Sequence, residues 1–416
     1  MLPSASSLPG RFCITAVLAF WLFFAIAPTT SAQTFTVLYS FTGGPDGGDP
    51  FAGLVLDSAD NLYGITTNGG TGTCVQDFLS GCGTVFRVTK QGAETVLHSF
   101  QGGSDGEFPN GGLALDDRGY LFGTTVNGGA TANGGLGFGI LFSLDKSGTE
   151  HILHRFTGGT DGAYPSATLT LDQGHLYGTS DSGGDLSCGF QDKGCGTLFG
   201  LDASRGSVVH RFAGAPSDGR SPGYGALLID SAGNFYGTTG EGGSADAGTV
   251  YKVDRNGQST VLYSFSGKSD GCEPLGSLAA DEHGTLYGAA SECGDFNKGT
   301  LFKIDSTGSF TVLYAFSGGA DDGNAPFGGV TLDRSGNLYG TTLFGGNCGL
   351  ELGGCGTVFK LNPNGHMIIL HTFEGETDGS SPWCNVILDA AGNLYGTTSM
   401  GGLGGNGAGT VWKLAP

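Results

Sequence analysis

Charge is scarce in this 416-residue chain: Asp, Glu, Lys and Arg together make up 13% of it, with 18 basic residues against 38 acidic ones. The resulting net charge of -20 leaves no basic footprint for a phosphate backbone or an anionic lipid surface, so nucleic acid is excluded as a partner. Beyond the N-terminus no second long apolar run occurs, so no membrane span is expected after signal cleavage. Three catalytic or metal signatures are also missing. No G-x-S-x-G elbow on a strand-to-helix turn is expected, and there is no D-x-D-x-D-G calcium loop and no Ser-His-Asp set, since no His falls in a long loop. No cofactor and no metal are therefore expected.

Glycine is abundant instead, at 82 residues. A collagen-like or disordered chain is ruled out by the lack of a Gly-X-Y period and by a 38% hydrophobic fraction that includes 28 Phe and 13 Tyr, ample material for a core. The glycines must then sit in turns. At the start, Arg11 precedes the apolar run Cys13 to Ala27, followed by Pro28 and the small residues Thr30, Ser31 and Ala32. This pattern predicts a cleaved secretory signal over residues 1–32, with a mature domain over 33–416 that is extracellular or periplasmic.

One signature recurs seven times: NLYGITTNGG from Asn61, YLFGTTVNGG from Tyr120, HLYGTSDSGG from His175, NFYGTTGEGG from Asn234, TLYGAASECG from Thr285, NLYGTTLFGG from Asn337 and NLYGTTSMGG from Asn393. Its glycines Gly64, Gly123, Gly178, Gly237, Gly288, Gly340 and Gly396 lie 51 to 59 residues apart. Four short apolar segments bounded by turn residues fill each unit, which in the first are Gly53–Asp57, Asn61–Thr66, Gly83–Val88 and Thr95–Phe100. Tandem four-stranded antiparallel units without helical periodicity predict an all-β, seven-bladed β-propeller. The last unit stops after its third strand (Gly409–Leu414), and the missing fourth is found at the mature N-terminus, Thr34–Phe41. Closure of the ring by this split blade removes exposed sheet edges.

The runs LYGTT-x-x-GG, GTVFK and LYSF-x-GG-x-DG resemble the Gloeo/Verruco tandem repeat of secreted bacterial proteins, over about nine tenths of the chain. That resemblance implies no assigned activity and no catalytic residues. More distantly, GLALDDRGYLFGTT (Gly112 to Thr125) is similar to NHL-type and gluconolactonase-like propellers. Enzymes of that wider group use unlike polar ligands around the channel, and no such set is found here. A C-terminal surface anchor, carried by some family members, is not expected after Lys413-Leu414-Ala415-Pro416.

Cysteines fall between fixed landmarks of the repeat. Cys74–Cys82, Cys188–Cys195 and Cys348–Cys355 are expected disulfides, with Cys272–Cys293 as a fourth and Cys384 left unpaired at the buried start of a first strand. Antiparallel order places the long loops between strands two and three on the same face as the connections from strand four to the next blade. Function is expected on that face.

The Asp-Gly aspartates Asp46, Asp105, Asp161, Asp218, Asp270, Asp322 and Asp378 recur in every unit. So do the strand-one aspartates Asp57, Asp116, Asp172, Asp230, Asp281, Asp333 and Asp389. Both sets read as turn organisers that accept backbone N–H groups, with the Gly after the first set at positive φ. His98, His154, His210 and His371 alternate with Tyr39, Tyr263 and Tyr314 at one strand-four position and read as outer-strand packing.

Where the blades differ, function is sought. The residues after each loop proline, Phe51, Asn110, Ser166, Gly223, Leu275, Phe327 and Trp383, are expected at the channel mouth, and Phe51, Phe327 and Trp383 become neighbours once the ring closes. They suggest a stacking platform for sugar rings or apolar ligands, or a plug for the channel. Asp49, Glu107, Arg220, Glu273 and Asn324 are candidate polar contacts. The leading expectation is a monomeric secreted propeller that binds an extracellular glycan or protein. Two alternatives are a carbohydrate-active lyase or glycoside hydrolase with channel carboxylates such as Glu107, Asp49 or Glu273, and a structural cell-envelope protein.

Overall fold

In each repeat the glycine of Leu-Tyr-Gly lies in antiparallel register opposite an aromatic residue of the third strand: Gly64 opposite Phe86, Gly123 opposite Phe142, Gly178 opposite Phe199, Gly237 opposite Tyr251, Gly288 opposite Phe302, Gly340 opposite Phe359 and Gly396 opposite Trp412. A Cβ on any of these glycines would fall 2.4 to 2.8 Å from that ring. The glycine is therefore a socket for the aromatic, which is why it recurs without exception.

The computed structural model describes residues 33–76, 79–129, 137–188, 193–202, 205–348, 353–404 and 407–416. The expected signal segment 1–32 lies outside the described residues. Residues 33–416 form an all-β, seven-bladed propeller of antiparallel sheets. The first blade comprises Val55–Leu56, Leu62–Thr66, Thr84–Val88 and Glu94–Ser99, paired in that order. The seventh comprises Ile387–Leu388, Leu394–Thr398, Thr410–Ala415 and the N-terminal Thr34–Ser40, so the ring is closed by the split blade.

First strands are shorter than expected: two residues in six blades and three in the third, Thr170–Asp172. The residues just before them bond around the channel to the adjacent blade instead. Thr168 N–H donates to Tyr224 O, Gly225 N–H to Leu275 O and Ser277 N–H to Gly328 O, at 3.0 to 3.2 Å. Near the axis the blades converge, and partners from the next blade come closer than those within the same sheet.

The core sits at the seams between blades. Each fourth strand ends in a buried phenylalanine set edge-on or tilted toward the next blade's strand-three aromatic, as in Phe100–Phe142 (5.2 Å), Phe212–Tyr251 (5.0 Å) and Phe316–Phe359 (5.4 Å). Phe41–Phe86 (5.0 Å) and Phe373–Trp412 (5.8 Å) extend the series through the closing blade.

The turn aspartates behave as acceptors. Asp57 Oδ1 takes the N–H groups of Ala59 and Asn61, while Oδ2 takes Asn61 Nδ2 and the Tyr63 hydroxyl. The third blade departs from this pattern, because its turn is only Gln173-Gly174, both at positive φ, a two-residue hairpin.

Gly123→Ala should push a methyl into the Phe142 ring and the Leu113 side chain. Overpacking of this kind destabilises by about 1–3 kcal/mol, and a lowered denaturant midpoint with unchanged slope in urea unfolding is the expected result. The control is Gly159→Ala, at a turn glycine without positive φ where the added Cβ meets only the Thr157 hydroxyl, at 3.3 Å.

Candidate functional site

The mouth on the long-loop face is built by one device in all seven blades. Each loop proline packs against the glycine that precedes the third strand of the previous blade, where a Cβ would meet the ring at 2.5 to 2.7 Å. The residue before that proline is left-handed every time, from Ser221 at φ 51 to Ala325 at φ 61, a conformation that a non-glycine residue holds only when its surroundings impose it. Here the constraint is visible, since its N–H donates across the seam, as from Asp49 to Ala408 O (2.8 Å) and from Ser381 to Cys355 O (2.9 Å). The residue after the proline is thereby aimed at the axis.

Three of those residues meet. Phe51 stacks on Trp383 with ring centroids 4.6 Å apart and planes at 27°, and Phe327 tilts against Trp383 at 4.7 Å. Asn110, Leu275 and Cys384 also line the depression, together with Thr168 and Tyr224. Ser166 and Gly223, expected there from their place after the proline, are replaced by the residues two and one positions further on. Tyr224, an exposed aromatic, was not anticipated. The free space is about 40 Å³, too little to bury a sugar ring, so the mouth offers a surface rather than a pocket.

The predicted polar contacts lie outside that lining. Glu107 is buried, and its Oε1 accepts the Gly103 N–H at 2.8 Å. Arg220 is paired with Glu241 (2.6 Å) and Asp246 (3.1 Å). Asn324 joins a short two-stranded ladder with Phe344. Burial, with the nearby Glu292 and Glu241 carboxylates, raises Glu273 above the usual range. Asp49 accepts from Asn68 Nδ2 at 3.2 Å, and burial pushes it up to about 6. No carboxylate is among the residues lining the depression.

A larger hollow of about 970 Å³ opens on the opposite face, between the tight turns of the first two blades, with Asp57, Asp116, Arg118 and Lys146 at its edge. The sequence pattern gave no sign of it.

The strand-four Tyr and His residues are partners of the Asp-Gly aspartates rather than packing alone. The pairs are Tyr39–Asp46 (2.9 Å), His98–Asp105 (3.6 Å), His154–Asp161 (3.2 Å), His210–Asp218 (3.0 Å), Tyr263–Asp270 (3.0 Å), Tyr314–Asp322 (3.1 Å) and His371–Asp378 (2.8 Å). The aspartates also hold their loops, as where Asp270 accepts the Ser266 N–H at 2.8 Å. The following glycine has positive φ in five blades but not at Gly219 or Gly323. In those two blades the loop is one residue longer, and Asp218 and Asp322 accept the N–H of that glycine directly. Sequence alone carried the signal, in a near-constant spacing of seven between the two sets.

Disulfides join Cys74–Cys82, Cys188–Cys195, Cys272–Cys293 and Cys348–Cys355. Cys384 is free and buried, 3.2 Å from Thr397 Oγ1, and burial raises its thiol.

Comparison with known proteins agrees with this architecture. A family model described as the Gloeobacter/Verrucomicrobia repeat matches residues 22–191 and 187–350. No curated protein sequence matches. Among solved structures, the extracellular domain of a hybrid two-component system from B. thetaiotaomicron aligns over 91% of this chain with a TM-score of 0.56 and 12% identity. The present chain spans only 39% of that longer one. A gluconolactonase from Xanthomonas campestris aligns over 92% of this chain and 89% of its own, with a TM-score of 0.44 and 16% identity. At 12% identity the likeness to the B. thetaiotaomicron domain concerns the fold alone.

Asp49 provides a pH test. Its folded pKa of about 6 lies above the unfolded value near 3.9, so the ionised form is disfavoured in the fold. Stability from this group is full below the unfolded value and is lost as pH rises through about 6. Asp49→Asn, which keeps a residue tolerant of positive φ, should unfold at a higher temperature than the native chain at pH 8. The difference should vanish near pH 4 in paired thermal melts.

Proposed function

This chain belongs to the Gloeobacter/Verrucomicrobia repeat family, and we propose that it is exported through the 1–32 segment and acts as a secreted, non-catalytic propeller. Its ligand is an extracellular polysaccharide, held on the long-loop face by Phe51, Trp383 and Phe327. The observation that carries this reading is the contiguous aromatic cluster at the mouth. Stacking on such faces suits the apolar side of a sugar ring and needs no enclosed pocket. Disulfides on the same face fit an oxidising compartment, as does the extracellular location of the B. thetaiotaomicron domain named above.

Binding is favoured over catalysis by the lining itself. A glycoside hydrolase needs two carboxyl groups about 5 to 10 Å apart around the scissile bond. Asp49, Glu107 and Glu273 lie outside the lining residues, and two of them serve their own loops. A purely structural envelope role would leave the aromatic faces without a ligand.

Tryptophan fluorescence tests the reading. Without the signal segment the chain keeps Trp383 and Trp412, of which Trp412 is fully buried. Titration with the polysaccharides of a glycan array should quench or shift the Trp383 emission. Trp383→Ala should weaken retention on the bound glycan roughly threefold to tenfold, the scale of one aromatic contact. Unaltered affinity in Trp383→Ala would remove the mouth as the binding surface, whereas loss in Arg118→Ala would move it to the opposite hollow.

A further inference from the structure

Six of the outer-rim seams show one plan, in which a residue at the start of a blade's fourth strand sits against the Tyr/His–Asp pair of the blade before it. Phe35 stacks on His371 and Phe310 on Tyr263, both at 3.7 Å. Ser259 Oγ donates to Asp218 at 3.2 Å, and Gly206 leaves His154 uncovered by a side chain. One seam departs from the rest in chemistry. Between the first and second blades the covering residue is Glu150, so a second carboxylate is set against an imidazole and a carboxylate, His98 and Asp105.

The seam also differs in geometry. The other three His–Asp pairs are closed at 2.8 to 3.2 Å, but His98 Nε2 stands 3.6 Å from Asp105 Oδ2. His98 Nε2 and Glu150 Oε1 are both shut off from solvent and close no hydrogen bond of ordinary geometry, a state that Glu94 Oε1 shares one seam earlier; here the Asp105 carboxylate faces both the imidazole and the second carboxyl group, an arrangement that buried polar atoms otherwise avoid. One ligand atom from each of the three residues falls within 4.8 Å of the others, and among the described residues this is the one such group of three or more His, Cys, Asp or Glu. Tetrahedral bonds of about 2 Å place ligand atoms about 3.3 Å apart, a distance the trio reaches with small side-chain adjustments.

We propose that His98, Asp105 and Glu150 form a divalent transition-metal site, suited to Zn²⁺, that clasps the first blade to the second at the outer rim. The donor set is one imidazole nitrogen and two carboxylate oxygens, ligand types that zinc accepts, with a water left to complete a tetrahedron. Calcium, which takes six to eight oxygens, is a poor match. The ion neutralises two facing carboxylates and ties Glu150 on one blade to His98 and Asp105 on the other, so its binding energy adds to the stability of that seam. Glu94 occupies the equivalent position one seam earlier, but faces Tyr39 and Asp46 and so lacks the imidazole.

The test uses the tag-free chain, stripped with chelator and titrated with Zn²⁺ at neutral pH. About one ion per chain should remain after gel filtration, and the thermal midpoint should rise with added zinc. Glu150→Gln and His98→Gln should each weaken binding by at least about tenfold and abolish the thermal shift, while His154→Gln, at a seam without the glutamate, should leave both unchanged. Should the Glu150 variant fail to fold, Co²⁺ added to the native chain provides a second reading, with visible bands of tetrahedral intensity that zinc displaces. Absence of a retained ion in the native chain, or retention equal in native and His98→Gln chains, would overturn the site and leave a proton shared between the two carboxylates in its place.

Discussion

Each seam between blades is organised by one aromatic contact, the strand-four phenylalanine set against the strand-three ring of the next blade. Several other features of the repeat follow from it. The large ring on strand three requires a glycine opposite, in Leu-Tyr-Gly, because a Cβ there would enter the ring. The phenylalanine's own N–H donates to the carbonyl of the glycine before Thr-Val-Phe, as from Phe100 to Gly83 at 3.1 Å and Phe265 to Gly248 at 3.0 Å. That glycine in turn receives the proline of the following loop. Phe, Gly and Pro thus recur together because they are parts of one joint, which takes two glycines per blade, while most of the other described glycines sit at positive φ in turns.

A rigid and repetitive seam leaves little room for variation except where the chain leaves it. The proline clamps the approach to the axis, and the residue that follows is free to differ from blade to blade. Phe327, Trp383 and Phe51 come from the sixth, seventh and first blades, so their cluster exists only because the termini meet in one sheet. The same logic applies at the outer rim. The covering position of each Tyr/His–Asp pair tolerates Phe, Ser, Gly or Glu, and a change there alters local chemistry without disturbing the ring.

Much of this was legible in the amino-acid order. The seven-fold signature, the four-strand unit and the split last blade specify the propeller, since turn chemistry and apolar runs are local properties. The aromatic trio at the mouth could be anticipated from closure together with the place of each loop proline. Other features depend on distances that the repeat pattern does not encode. Tyr224 enters the mouth one residue beyond its expected equivalent, because the segments near the axis bond to the neighbouring blade rather than to their own sheet. His98, His154, His210 and His371 were separated from the Asp-Gly aspartates although a spacing of seven or eight joins them, since recognising a pair requires knowing that the loop folds back over its own strand. Glu150 carries no sequence signal at all, for its partners are supplied by the preceding blade.

The most direct measurement is a double-mutant cycle across the closing seam, using Phe41→Ala, Phe86→Ala and the double variant in equilibrium unfolding, beside the same cycle at the internal seam Phe265–Phe302. If the aromatic contact holds every joint, both cycles give a coupling of about 0.5–1.5 kcal/mol. No coupling at Phe41–Phe86, with normal coupling at Phe265–Phe302, would contradict a ring closed by the same joint that builds it.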